Sequence, residues 1–311
     1  MNIEGNKPVL SDQHLIAQLV VILHKSKISP MQLFPIHTGN FKLDGGAMFG
    51  VVPKSIWQKN YPSNEDNLIN LSMRCLLVVE GDRRILIDSG IGDKQERKFY
   101  AHYHLNGEDS LVSSLLSVGY GPEEITDVFL THLHFDHCGG TVKNNQDHSG
   151  YELTFPNATH WISKPQWDWA MQPNRREKAS FLRENMVPIA ESGKLQLFDG
   201  PFQLIPGFEV RLFNGHTVGQ AIPFLTSNEK TVIFLGDTIP TAAHIPLPYI
   251  MSYDTQPLIS LNEKEALLDE AVLNNYILFF EHDVFHECCT LEKTEKGIIA
   301  KEKMKLQVAI A

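Results

Sequence analysis

Residues 132–137 read His132-Leu133-His134-Phe135-Asp136-His137, which places three imidazoles and one carboxylate within six residues. These groups are suitable ligands for Zn²⁺ and its first-row neighbours. Side chains alternate along an extended segment, so His132 and His134 can point the same way. The following turn can bring Asp136 and His137 to a second centre about 3.5–4 Å from the first, the spacing found in two-metal sites. The segment therefore predicts a metal centre with room for two ions.

The composition is that of a soluble globular protein. Its 311 residues are 42% hydrophobic, and 27 Lys and Arg against 37 Asp and Glu give a net charge of −10. An acidic chain has no electrostatic reason to seek nucleic acid or an anionic membrane surface. The sequence also lacks the roughly 18 uninterrupted apolar residues of a membrane-spanning helix. Its four scattered cysteines are typical of reduced thiols. These features predict a cytoplasmic protein without nucleic-acid or membrane partners.

The chain is predicted to consist of an N-terminal extension, residues 1–30, and one domain, residues 31–311. Within the extension, the apolar run 15–23 predicts an amphipathic helix that Ser11 or Asp12 would cap. A secretory signal is the less favoured alternative, because acidic residues precede the run.

Short β-like runs alternate with helices along the domain. Gly81-Asp82 joins two apolar runs as a hairpin turn. Further strands are predicted at 127–132, 231–235 and 277–281, and a helix at 264–274. Strands that come in hairpin-linked groups, interspersed with helices, favour an α/β (α+β) sandwich built from two mixed sheets.

The segment 132–137 resembles the signature of the metallo-β-lactamase superfamily. The remaining elements of that pattern occur in the correct order: Asp88 at the end of an earlier strand, Gly215-His216-Thr217, Gly236-Asp237 and Glu281-His282-Asp283. The resemblance extends over most of residues 31–311. It implies a four-layer αβ/βα sandwich and a metal-dependent hydrolase.

The resemblance also implies a ligand set. One ion would be held by His132, His134 and His216, the other by Asp136, His137 and His282, and Asp237 would bridge them. Two divalent ions, zinc foremost with manganese or iron as alternatives, lower the pKa of a shared water and so supply hydroxide as the nucleophile. Asp136 or a metal-bound water is expected to pass a proton to the leaving alkoxide. Asp88 is expected to orient the 132–137 loop by hydrogen bonds, a turn carboxylate being the alternative.

Within the superfamily, Gly45-Gly-Ala-Met-Phe-Gly-Val-Val-Pro53 resembles the branch of N-acyl-homoserine-lactone lactonases and methyl-parathion-hydrolase-like proteins. So do Asp237-Thr-Ile-Pro-Thr-Ala-Ala-His244 and the later Asp254. Common zinc β-lactamases carry Cys where Asp237 stands, which disfavours that activity. The predicted function is hydrolysis of a lactone or other carboxylic ester. Organophosphate triester hydrolysis and a thiolester hydrolase of the glyoxalase II kind are alternatives. A metal-stabilised binding protein is disfavoured, because a structural site closes on four donors.

Aromatic residues near these motifs are expected to wall the substrate pocket, with ordinary core packing as the alternative. They are Phe49, Trp57, Phe135, His244, Tyr249 and Tyr253. Such a wall favours a small neutral ester or lactone with an apolar tail. The oligomeric state stays open, and a homodimer is compatible with the sequence.

Overall fold

The computed structural model describes residues 31–311, so the helix predicted at 15–23 and its caps lie outside the described residues. The strands are β1 Gln32–Asp44, β2 Leu68–Glu80, β3 Arg83–Ile87, β4 Asp127–Phe129, β5 Val142–Asn144, β6 Tyr151–Leu153, β7 Thr159–Ser163, β8 Leu195–Phe198, β9 Phe202–Ile205, β10 Phe208–Phe213, β11 Gln220–Ser227, β12 Lys230–Phe234, β13 Ile277–Phe279, β14 Cys288–Thr294 and β15 Gly297–Met304. The α-helices are α1 Gly45–Phe49, α2 Lys54–Trp57, α3 Arg97–Ala101, α4 Leu111–Ser117, α5 Phe135–Cys138, α6 Lys164–Met171, α7 Arg183–Glu191, α8 Pro257–Leu273 and α9 Leu306–Ile310.

Two large mixed sheets organise these elements. The first has the order β1-β2-β3-β4-β7-β8, and the second has the order β15-β14-β13-β12-β11-β10-β9. The first three strands of the first sheet are antiparallel, whereas β3, β4, β7 and β8 run parallel. In the second sheet only the β12–β13 pair is parallel. The predicted sandwich of mixed sheets is confirmed.

The two sheets pack face to face, and helices cover their outer faces. On β2, Leu76 and Val78 point into the core between the sheets, where they meet Phe234 and Phe279 of the second sheet. The alternate residue Leu77 belongs to the outer core that α4 and α7 cover. Burial of both faces explains why residues 75–79, near the end of β2, form a continuous apolar run. The same arrangement on the second sheet, against α8, completes four layers.

The strand ends explain where the site forms. Parallel β3 and β4 end just before Asp88 and His132, and parallel β12 and β13 end just before Asp237 and His282. Because the carboxyl ends of parallel neighbours lie at the same edge of a sheet, these side chains gather at one edge of the sandwich.

Three predicted boundaries needed correction. β4 ends at Phe129 and not at residue 132, because the chain turns there to present its histidines. The predicted helix at 264–274 begins earlier, at Pro257, since proline is well suited to the first turn of a helix. The predicted strand at 277–281 ends at Phe279, just before the loop that carries His282. Among residues 31–311, none of the helices is both long and apolar enough to cross a bilayer.

Candidate metal centre

The segment 132–140 is held against the loop that follows β3. His134 has an extended backbone conformation and occupies the N-cap position of α5, the helix that carries Asp136 and His137. The backbone N–H of Ser89 donates to the carbonyl of His137 at 2.7 Å. A Cβ on Gly139 would lie 2.1 Å from the carbonyl oxygen of Ile91, so only glycine allows this close approach.

A first group of four buried side chains converges at the sandwich edge. Nδ1 of His134 lies 3.1 Å from Nε2 of His132 and 3.1 Å from Nε2 of His216. Oδ2 of Asp237 lies 3.1 Å from Nε2 of His216. Three imidazole nitrogens and one carboxylate oxygen thus face a common point, as tetrahedral zinc sites require.

A second group lies on the other side of Asp237. Nε2 of His137 and Nε2 of His282 are 3.2 Å apart, and Oδ2 of Asp136 lies 3.8 Å and 3.9 Å from them, respectively. Oδ1 of Asp237 lies 2.9 Å from Nε2 of His282 and 3.5 Å from Nε2 of His137. The two oxygens of Asp237 therefore face the two groups separately, which is the arrangement of a bridging carboxylate.

The donors fit divalent metal ions. Oδ1 of Asp237 is buried and accepts no hydrogen bond of normal geometry from the described residues. Although burial alone would raise it, the pKa of Asp237 lies well below its usual value because His137, His282 and His216 surround the carboxylate. Burial lowers the pKa of His132 far below its usual value, so its imidazole is neutral and can bind a metal. Five imidazoles and two carboxylates are the ligand types of zinc and its neighbours.

The remote nitrogen of each histidine has an acceptor of its own. Three of these acceptors are carboxylates: Nε2 of His134 lies 3.4 Å from Oε1 of Glu177, Nδ1 of His137 lies 3.1 Å from Oδ2 of Asp88, and Nδ1 of His216 lies 2.9 Å from Oδ1 of Asp254. The other two are neutral: Nδ1 of His132 lies 3.0 Å from Oγ1 of Thr131, and Nδ1 of His282 lies 2.8 Å from the carbonyl oxygen of Ser72. These contacts determine which nitrogen of each ring points inward.

Asp88 lies beneath the 132–137 loop. It has positive φ (58°) and is fully buried. Its Oδ1 accepts from the backbone N–H of Thr131 at 2.8 Å, and its Oδ2 accepts from the hydroxyl of Thr131 at 2.7 Å. With its contact to His137, Asp88 thus joins both ends of the loop.

Sequence reasoning missed Glu177 and gave Glu281 and Asp254 no role of their own. Glu177 precedes α7 in an irregular segment and accepts from Trp169 and Asn174 as well as His134. Although burial alone would raise it, hydrogen bonds with His134, Thr217 and Trp169 lower the pKa of Glu177 to about 2, so its carboxylate is ionised. A local motif could not reveal it, because 43 residues separate Glu177 from His134.

A cavity of about 470 Å³ opens over the two groups. Its apolar and aromatic lining consists of Phe41, Leu43, Met48, Leu71, Tyr103, Phe135, Met251 and Tyr253. Arg176 lies at its edge and donates to the carbonyl of Ser252. The expected wall residues Phe135 and Tyr253 lie on this surface.

Four other expected wall residues lie behind the cavity. Phe49 stacks between Trp57 and His244, with ring centroids at 4.9 Å and 4.4 Å, and meets Tyr249 edge-on at 6.0 Å. Nε2 of His244 donates to the carbonyl of Met48 at 2.9 Å. The aromatic rings of Phe49 and Trp57 point into the core, where their apolar surface is buried. They belong to the same buried cluster as Met48 and do not line the cavity.

Known proteins resemble the chain in sequence and in structure. Residues 73–282 match the family described as the metallo-beta-lactamase superfamily. An N-acyl homoserine lactonase from Bacillus cereus is 24% identical over 234 residues, covering 71% of this chain and 85% of the lactonase. A structure described as a probable metal-dependent hydrolase from Staphylococcus aureus has a TM-score of 0.80 at 31% identity, covering 89% of this chain and 99% of that chain. A dizinc quorum-quenching lactonase in complex with a product has a TM-score of 0.74 at 22% identity, over 90% and 96% of the two chains, and shares the fold.

Proposed function

The chain belongs to the metallo-beta-lactamase superfamily, and within this family of metal-dependent hydrolases we propose that it opens a lactone, or another neutral carboxylic ester with an apolar tail, at a dinuclear zinc centre. The observation that carries the proposal is the group of seven buried donors, divided by Asp237, under an apolar cavity. The N-acyl homoserine lactonases among its relatives support a lactone as the substrate.

We assign the seven donors to two ions. His132, His134 and His216 would hold the first, Asp136, His137 and His282 the second, and Asp237 would contribute one oxygen to each. When bound, the ions supply a hydroxide nucleophile at neutral pH and polarise the ester carbonyl. Zinc suits the donors best, since imidazole dominates them.

Two tyrosines and one carboxylate of the chain line the cavity in which the ester would react. Burial, with a contribution from Asp136, raises the pKa of Tyr103 to about 12. Burial, with contributions from Asp44 and Asp136, raises that of Tyr253 to about 12. Both hydroxyls therefore stay protonated and can donate a hydrogen bond to the carbonyl oxygen as negative charge develops on it. Asp136 can accept the proton of the attacking water and pass it to the leaving alkoxide.

The apolar lining orients the substrate. Leu43, Met48, Leu71 and Met251 can cover an acyl or aryl tail. Burial of each methylene contributes about 0.8 kcal/mol, so the preference among esters should follow tail length before charge.

A turnover screen with zinc- or manganese-loaded protein tests the proposal. The substrates are acyl-homoserine lactones with short and long tails, simple lactones, aryl esters, a thiolester, phosphotriesters and a β-lactam. We expect long-tailed lactones or aryl esters to give the highest kcat/KM. Preference for a β-lactam, a thiolester or a phosphotriester would overturn it.

A further inference from the structure

His137 differs from the other histidines of the centre in its surroundings. Its Nδ1 lies 3.1 Å from Oδ2 of Asp88 and also 3.1 Å from Oε2 of Glu281. Two carboxylates therefore converge on a single imidazole nitrogen, and all three side chains are completely buried.

The two carboxylates are not equivalent. Asp88 already accepts two hydrogen bonds from Thr131. Neither oxygen of Glu281 makes a hydrogen bond of normal geometry with the described residues. A buried carboxylate without hydrogen bonds is costly and needs compensating positive charge nearby. Its Oε2 lies 3.1 Å from Nδ1 of His137, and Nε2 of the same ring belongs to the second group of donors.

Four carboxylates contact the remote nitrogens of the histidines and are called the outer carboxylates here. Two of them lie behind each group of donors. In the first group, Glu177 contacts His134 and Asp254 contacts His216, so two imidazoles carry one carboxylate each. In the second group, Nδ1 of His282 contacts the neutral carbonyl of Ser72 and no carboxylate of the described residues. Glu281 therefore acts on this group through His137, whereas Asp88 acts through both His137 and Thr131.

We propose that Glu281 is a positioning residue for the second metal ion. Its carboxylate holds the His137 ring jointly with Asp88, and its charge balances the ion bound by Asp136, His137 and His282. This inference rests on the proposed dinuclear centre. It explains why an otherwise unpartnered carboxylate stands beside the last histidine of the ligand set.

The backbone of Glu281 is held independently of its carboxylate. Its carbonyl accepts from Oγ of Ser72 at 2.6 Å and from the backbone N–H of Arg74 at 3.0 Å. The guanidinium of Arg74 donates to the carbonyl of Phe280 at 2.7 Å and to that of Asp283 at 2.8 Å. Glu281→Gln removes the charge, keeps the shape and should leave this loop in place.

The test measures the affinity of each zinc ion by chelator competition, without substrate, and identifies the retained ion by anomalous scattering from crystals. In Glu281→Gln we expect the second ion to bind about 10- to 100-fold more weakly, with the first unchanged. The matched variant Asp254→Asn should do the reverse, since Asp254 acts on His216. Wild-type affinity for both ions in Glu281→Gln would overturn the inference, as would selective loss of the first ion.

Glu281→Asp covers the case in which Glu281→Gln does not fold. It keeps the charge, so we expect it to retain the second ion more tightly than Asp88→Asn does. Loss of the second ion to the same degree as in Asp88→Asn would contradict the charge-balancing role. Because no substrate enters these measurements, failure of the protein to open lactones would leave their result intact. A wild-type chain that saturates with one ion would instead refute the dinuclear centre itself.

Discussion

Oδ1 of Asp254 lies 2.9 Å from Nδ1 of His216, although 38 residues separate the two in sequence. Asp254 belongs to the loop between β12 and α8 that also contributes Met251, Ser252 and Tyr253 to the cavity wall. One loop therefore both walls the cavity and orients an imidazole of the metal centre.

Metal content is the first prediction. Protein purified without chelator should carry two divalent ions per chain, because seven donors in two groups face two separate points. Chelation should abolish hydrolysis but preserve the fold, since apolar side chains fill the core between the sheets. Elemental analysis and circular dichroism before and after chelation test both parts. Saturation with a single ion, or unfolding on chelation, would contradict them.

The bridging carboxylate gives the second prediction. Asp237→Asn should retain the fold, weaken the second ion and nearly abolish turnover, because a neutral amide cannot balance two adjacent dications. Asp88→Asn should be milder and lower the metal affinity about 10- to 100-fold, because Asp88 acts through His137 and Thr131. Metal stoichiometry and kcat measured on both variants test whether Asp237→Asn has the larger effect. Full activity with two ions in Asp237→Asn would show that the assigned role is wrong.

The donors were accessible to sequence reasoning because they occur in short motifs at strand ends. His132, His134, Asp136 and His137 lie within six residues, and Asp88 and Asp237 each follow an apolar strand. Apart from Asp88, the carboxylates behind the histidines were not accessible to it. Glu177 and Glu281 reach His134 and His137 only through tertiary packing, which no local spacing records.

The same limit applies to the fold and the cavity wall. Hairpin turns and apolar runs predicted the mixed sheets, but β1 and β2 are each 13 residues long, whereas the apolar runs predict strands only at 33–37 and 75–80. Polar residues such as Asn40 and Arg74 interrupt the pattern, and their partners come from distant segments. The inward packing of Phe49 and Trp57 was equally undetermined, because an aromatic residue beside a motif can face either the core or the cavity.

The third prediction is that mutations in the core and mutations in the cavity lining have different effects. Trp57→Ala should destabilise the fold by about 3–5 kcal/mol, because Trp57 is 1% exposed and stacks on Phe49. Leu43→Ala should instead raise KM, most strongly for the longest-tailed substrate, because Leu43 lines the cavity. Urea unfolding and a KM series over tail lengths test the contrast. Leu258→Ala is the matched control, since Leu258 is 75% exposed and lies outside the cavity lining.

The fourth prediction concerns the tyrosine hydroxyls. Tyr103→Phe should lower kcat about 10- to 1000-fold with little change in metal affinity, because a donor to the developing oxyanion acts mainly in the transition state. Tyr253→Phe should act in the same direction. A rise of KM alone in both variants would show that the rings only shape the cavity.

The fifth prediction separates acid unfolding from metal loss. Burial lowers the pKa of His160 from 6.5 to about 4, and neither ring nitrogen has a hydrogen-bond partner among the described residues. Between these two values the unfolded chain binds more protons than the folded one, so the free energy of unfolding should fall as the pH drops, by up to about 3 kcal/mol. His160→Leu removes the buried base, so it should be at least as stable at neutral pH and lose less stability on acidification. Urea unfolding of the chelated protein across this pH range tests the difference, with the exposed His102→Leu as control. An unchanged pH dependence in His160→Leu would assign the acid sensitivity to other groups.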